Sequence, residues 1–320
     1  MTNKTKAVSS KLKNTTQLLW ADYSAVFALV AVVIFAMFAS EQFASSRNLL
    51  NIARQVSVIG IIALGMTLVI IVGGIDLSVG AVLALSGGAA LWALGLGDQP
   101  WLAVVTGLAV GLSCGALNGA MVTWGKIPSF IATLGMLAGA RSLILFIADG
   151  GSVSNASEAY GAIANSSMLG IATPIWLFAA TAAVLHLVMT HTVFGRYVHA
   201  VGSNERAARL SALPVARVKF VVYTLCGGLA SLGAVTESSR LNSISSANSG
   251  LAYELDAIAA VIIGGTRMSG GRGKIIGTVI GVLILGILNN TLNLMNVSPY
   301  LQGMVKGLII VLAVLVQKKD

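Results

Sequence analysis

Few stretches of this sequence have residue types and spacings suited to covalent chemistry. Met268 to Lys274, MSGGRGK, ends in Gly-Lys like a phosphate-cradling loop. Met268 stands where such a loop begins with glycine, and Ile275 where it carries a magnesium-binding Ser or Thr, so the segment fails as a nucleotide site. His186, His191 and His199 have no HExxH spacing and no companion Cys or carboxylate pattern, so no metal centre is expected. No GxSxG elbow presents a serine nucleophile. What remains is recognition. Asp76 and Ser78 sit in a glycine-flanked turn, Asn118 and Asn289 lie inside apolar runs, and Glu254 and Asp256 open a short one. Neutral hydroxyls and amides suit a polyol, which offers donors and acceptors without net charge. Each residue also has a structural reading, as a helix cap or an interhelical hydrogen bond.

A second polar constellation is the basic loop from His191 to Lys219. Within it Asn204, Glu205, Arg206, Ala207, Ala208, Arg209 and Leu210 predict a short amphipathic helix, with Asn204 as cap, Leu213 following and Pro214 ending it. Two readings stand: a solvated connector, or a docking helix for a cytoplasmic protein.

The elements that position these residues follow from composition. The chain has 320 residues, 56% hydrophobic and only 10% charged, where soluble proteins carry about 25% charged residues. It is expected to be an all-α integral membrane protein. The net charge of +9 is scattered between apolar runs and forms no basic face for nucleic acid. Cys114 and Cys226 lie in apolar runs without CxxC spacing and read as small core residues. No small-residue cleavage site follows the first apolar run, so a cleaved signal peptide is not expected.

Counted by length, ten spans are expected: Tyr23 to Ser40, Ile52 to Val72, Val79 to Leu96, Trp101 to Thr123, Ser129 to Ala148, Pro174 to Thr190, Phe220 to Thr236, Asp256 to Gly265, Ile275 to Met295 and Pro299 to Val316. The eighth is short enough to be half of a broken helix. With the N-terminus in the cytoplasm, the inner segments collect 15 of the 20 basic residues, among them Lys4 to Lys13, Lys126, Arg196 to Lys219 and Arg267 to Lys274. Both termini and the 191–219 loop are then cytoplasmic, and Glu237 falls in an outer loop. Arg141 and Lys306 lie close enough to span ends to snorkel. The organisation is a cytoplasmic tail over 1–21, a transmembrane domain over 22–316 and a second cytoplasmic tail over 317–320.

Gly107, Gly111, Gly115 and Gly119 recur at every fourth residue, giving the fourth span a face against which another backbone can press, for sliding or for static packing. There is also an internal echo. Gly115-Ala116-Leu117-Asn118 with Pro128 matches Gly286-Ile287-Leu288-Asn289 with Pro299 at the same separation, an offset of five spans that predicts an inverted repeat. A second echo, GGIDLSVG from Gly73 and GGTRMSGG from Gly264, has an even offset and reads as reuse of a glycine-rich turn.

Five stretches carry a resemblance: GMTLVIIVGGIDLSVGAVLALSGG from Gly65, PSFIATLGM from Pro128, FGRYVHAVGSNERAARLSA from Phe194, YELDAIAAVIIGGTRMSGGRGKIIGTVIG from Tyr253 and ILNNTLNL from Ile287. Through nearly its whole length beyond the N-terminal tail, the chain resembles the membrane permease subunits of bacterial ATP-driven (ABC) importers for ribose and related monosaccharides. It departs from that pattern at Arg206-Ala207 and at Ala212. The resemblance implies a type II ABC importer-like permease in the bacterial inner membrane, paired with a second copy. A periplasmic binding protein would deliver the sugar. A separate ATP-binding subunit with two nucleotide-binding domains would hold ATP and Mg, leaving no cofactor in this chain. It also implies that Asn204 to Pro214 is the coupling helix. An ion-driven sugar carrier, with Asp76 or Asp256 as its essential carboxylate, is the alternative. A scaffold without transport is disfavoured by the short outer loops.

Overall fold

The structure, a computed structural model, describes residues 24–298, 301–308 and 311. The two tails, Tyr23 and Pro299 at the ends of expected spans, and the last turns of the tenth span lie outside the described residues. The chain is mostly helical. Among the described residues six helices have the length and apolarity to cross a membrane: α2 (Ser46–Ile71), α4 (Pro100–Thr123), α5 (Ser129–Ile147), α7 (Thr173–His191), α10 (Val215–Leu241) and α12 (Ile275–Leu294). Two shorter apolar helices are α1 (Ser24–Ala39) and α3 (Val79–Leu94). A half-length helix, α11 (Tyr253–Ile263), and a last one, α13 over 301–308, complete the apolar set.

The centre of the molecule is α2. Ser45 caps it, its Oγ accepting from the Asn48 amide at 3.3 Å. Beyond its third turn the helix is buried on nearly every side, from Val56 to Ile71, and apolar but for Ser57 and Thr67, as a helix surrounded by other helices is. The longest partner is α10, which packs along α2, α3 and α4. The glycine face of α4 meets α10 as its spacing predicts. A Cβ added at Gly111 would overlap Ser231 and the Gly227 carbonyl, and one at Gly115 would overlap the Tyr223 carbonyl. The two backbones are in contact there, which only glycine permits.

Two features depart from expectation. The connections are not wholly irregular: β1 (Ser152–Ser154) pairs antiparallel with β4 (Ser243–Ser245), Val153 opposite Ile244, and β2 (Ser167–Met168) pairs with β3 (Ile171–Ala172), flanking the short α6 (Glu158–Asn165). These ladders pair backbone groups that serine-rich segments leave outside helices. Also, α10 begins at Val215 and continues to Leu241, past the expected end at Thr236. Glu237, placed in an outer loop on charge, is therefore a buried helical residue. Its carboxylate accepts from the Tyr253 hydroxyl at 3.0 Å, and its neighbour Ser238 shares a 2.7 Å hydrogen bond with Tyr160. Partners on α6 and α11 make helix out of polar sequence.

The short helices α3 and α11 each follow a non-helical stretch. Residues 72–78 separate α2 from α3, and 242–252 separate α10 from α11. The two stretches touch: Gly80 in the first turn of α3 lies against Gly250, which has φ +69°. The N-terminal ends of α3 and α11 thus meet inside the molecule.

Candidate functional site

The segment expected to be one basic loop folds as two helices, α8 (Val193–Ser203) and α9 (Glu205–Leu210). The first of them packs on the rest of the chain: α8 buries Val198 and Val201. His199 Nδ1 lies 3.1 Å from the Gly271 carbonyl, the Gly271 amide donates to the Ile71 carbonyl at 2.8 Å, and Gly202 presses on that same Ile71 backbone. The turns holding the second sequence echo therefore share one junction with α8, at the C-terminal end of α2.

On this base α9 is set as predicted. Asn204 Oδ1 accepts from the Ala207 amide at 2.9 Å, the N-cap geometry. Glu205 receives Arg209 Nη2 and Lys219 Nζ, each at 2.6 Å. The hydrogen bond from Lys219 above all, with Arg209 adding to it, holds the Glu205 carboxyl below its usual range. Ala208 is buried, while Arg206, Ala207, Arg209 and Leu210 are exposed, Leu210 by 83%. Leu213 closes the turn by donating its amide to the Ala208 carbonyl, and Pro214 ends it by serving as the cap of α10.

The polar residues divide between two places. Asp76, Ser78 and Asn118 form one closed cluster, each about 1% exposed. Ser78 donates from its amide at 2.9 Å and its hydroxyl at 2.6 Å to Asp76 Oδ1, and Asn118 Nδ2 donates to Ser78 Oγ at 2.9 Å. Asp76 thereby caps the irregular stretch before α3. This set is packed shut, as its structural reading has it.

Asp256 and Asn289 instead line a cavity of about 40 Å³ between α2, α11 and α12, together with Gln55, Val56, Leu285 and Gly286. Asp256 Oδ2 pairs with Lys306 Nζ at 2.9 Å. Glu254, half-buried, sits beside Gly80 and does not line the cavity. Neither Arg141 nor Lys306 snorkels: Arg141 donates to the Ser246 and Ser249 carbonyls at 2.7 and 2.9 Å, so it ties α5 to the stretch before α11.

Sequence reasoning missed Gln55, Asn48 and Asn290. Asn290, not Asn289, makes the buried interhelical bond, a reciprocal amide pair with Asn48 at 2.8 and 2.9 Å. The phase of the apolar face through Ile287 and Thr291 was the available signal. Gln55 gave a signal too, as a polar side chain in a long apolar helix.

A family described as branched-chain amino acid transport system / permease component matches residues 48–314. The chain belongs to this family. Among curated proteins it is 43% identical over 302 residues to the ribose import permease protein RbsC of Escherichia coli, covering 93% of this chain and 94% of that one. It is 44% identical over 293 residues to the Bacillus subtilis ribose import permease protein, 91% of each chain. It is 34% identical over 297 residues to the Escherichia coli L-arabinose transport system permease protein AraH, covering 93% and 90%. Membership makes the chain a multi-pass permease component of a transport system, not an enzyme. The five motif stretches used for the resemblance all fall within the matched residues.

Proposed function

We propose that this chain is the permease subunit of an ATP-driven importer for a monosaccharide, ribose or a related pentose, hexose or polyol, in the bacterial inner membrane. Near-full-length identity to ribose and arabinose permeases carries the substrate class. The observation that carries the mechanism is α9, a capped helix fixed at its base by Glu205 and Lys219 while Arg206, Arg209 and Leu210 stand outward, uncovered by any other described residue. Asn204 to Pro214 is the coupling helix, docking on an ATP-binding subunit that holds ATP and Mg. A binding protein delivers the sugar on the opposite face, and a second copy of the permease completes the pathway.

The transmembrane domain over 22–316 comprises ten spans arranged as an inverted repeat, with both tails cytoplasmic. Supporting this, α2, 72–78 and α3 have the same sequence of parts as α10, 242–252 and α11: a long helix, a non-helical connection, a short helix. The Gly-x-Leu-Asn strings follow at equivalent places in α4 and α12. Broken helices at a repeat interface are where transporters place their pathway. Asp256, Asn289 and Glu254 flank that pathway, and Asp76, Ser78 and Asn118 fix the turn that shapes it.

Leu210→Asp tests the coupling assignment, because Leu210 is exposed and its loss leaves the fold intact. Sugar uptake by the assembled transporter is expected to fall about tenfold or more, as when a buried interface anchor is lost. Unchanged uptake by this variant, or by Glu205→Ala with Arg206→Ala, would remove α9 from the coupling role.

A further inference from the structure

The first turns of α2 carry polar residues on one exposed face: Arg47, Asn51, Arg54 and Gln55. Their spacing keeps them within roughly 100° of the helix circumference at 3.6 residues per turn. Hydrocarbon does not tolerate such a face, so side chains of this kind look onto water or onto other protein. Arg47 and Asn51 are near enough to the end of α2 to reach a headgroup region. Gln55 is about 14 Å along the axis at 1.5 Å per residue, and its short amide has no stem with which to snorkel. It opens instead on the cavity that Asp256 and Asn289 line. The polar face and the cavity are continuous.

The direction of this route is also fixed. The C-terminal end of α2 abuts α8, so its N-terminal half lies at the face opposite α9. Arg47 and Arg54 are thus basic residues on the side where charge bias disfavours them, which a water-lined entrance explains. At the cavity, two primary amides each offer donors and an acceptor, and Asp256 offers a carboxylate held in place by Lys306. That set matches vicinal hydroxyls on a neutral ring. At about 40 Å³ the space admits a few waters at most, so a sugar passes only when α12 or α13 moves away from α2.

We propose that the polar face of α2 lines an aqueous vestibule, and that Gln55 at its inner end is a specificity-determining contact for the passing hydroxyl-rich solute, together with Asn289 and Asp256. This rests on the importer reading above. The test uses the full transporter, assembled with its ATP-binding subunit, in a Cys114→Ala, Cys226→Ala background. Gln55→Cys, Asn289→Cys and, as a lipid-facing control, Leu134→Cys are treated with a charged, membrane-impermeant thiol reagent. Gln55→Cys and Asn289→Cys are expected to react about tenfold faster than Leu134→Cys, since charge does not partition into hydrocarbon. Gln55→Ala is expected to shift the ratio of uptake efficiencies between two pentoses by about tenfold, the scale of one lost polar contact. Reaction at the Leu134→Cys rate, or an unaltered preference in Gln55→Ala, would overturn the inference. Sugar uptake by the unlabelled background separates this from the importer reading: uptake without reactivity refutes only the vestibule, and no ATP-dependent sugar uptake at all refutes the importer.

Discussion

Asp76 and Ser78, with the Asn118 amide nitrogen, hydrogen-bond to one another, leaving Asn118 Oδ1 unpaired, and this sets what substitution does. Asp76→Ala would leave the Ser78 amide and hydroxyl buried without an acceptor. The expected loss is about 1–2 kcal/mol, reduced for Asp76→Asn, which retains an acceptor oxygen. A lower midpoint for Asp76→Ala than for Asp76→Asn in a detergent thermal-shift assay checks this, and equal midpoints would show that the cluster contributes nothing. Glu205 makes a different prediction. Its carboxyl titrates below the ordinary range because Lys219 and Arg209 favour its ionised form. The contribution to α9 is therefore complete above the ordinary glutamate value of about 4.3. It is lost only as the pH falls through the lower folded value. Hydrogen exchange at residues 205–213 should show protection holding from neutral pH to about that value and decaying below it. Loss of protection starting near pH 6 would mean the ion pairs do not hold the helix.

Helix pairing turns on where glycine meets backbone. Gly111 and Gly115 face α10, whereas a Cβ added at Gly135 or Gly139 on α5 would have no other described residue within 4 Å. Gly111→Val should abolish the monodisperse peak of the detergent-solubilised chain in size-exclusion chromatography, while Gly135→Ala should leave it unchanged. The reverse order would contradict the packing. The four-residue glycine period was legible in the sequence because close backbone contact demands it, and the cap at Asn204 was legible because local hydrogen bonding sets it. The docking of α8 was not legible, since it depends on turns around Ile71 and Gly271 far away in the chain. The extension of α10 through Glu237 was hidden for the same reason. A carboxylate reads as a loop residue until Tyr253 and its neighbours supply the partners that make its burial affordable. Asn289 lines the cavity, whereas Asn290, one step on in helical phase, bonds to Asn48.

At the scale of the whole molecule, one long helix joins the two functional ends. The α8 and α9 platform sits against the C-terminal end of α2, and the polar face of α2 borders the cavity at the other end. In the coupling we propose, a push on α9 reaches α2 through the Ile71, Gly202 and Gly271 junction, and α2 shares walls with the half-helix α11 and with α12. Coupling of this kind needs two arrangements that the effector distinguishes. In the proposed importer, ATP binding in the partner favours one and sugar arrival the other. The direct test is ATP hydrolysis by this chain, purified with its co-expressed ATP-binding subunit in lipid nanodiscs, with and without its binding protein and a panel of pentoses, hexoses and inositols. The account predicts stimulation that needs binding protein and sugar together and that Leu210→Asp abolishes. Hydrolysis indifferent to sugar, or sugar uptake driven by an ion gradient in the absence of any ATP-binding subunit, would contradict it.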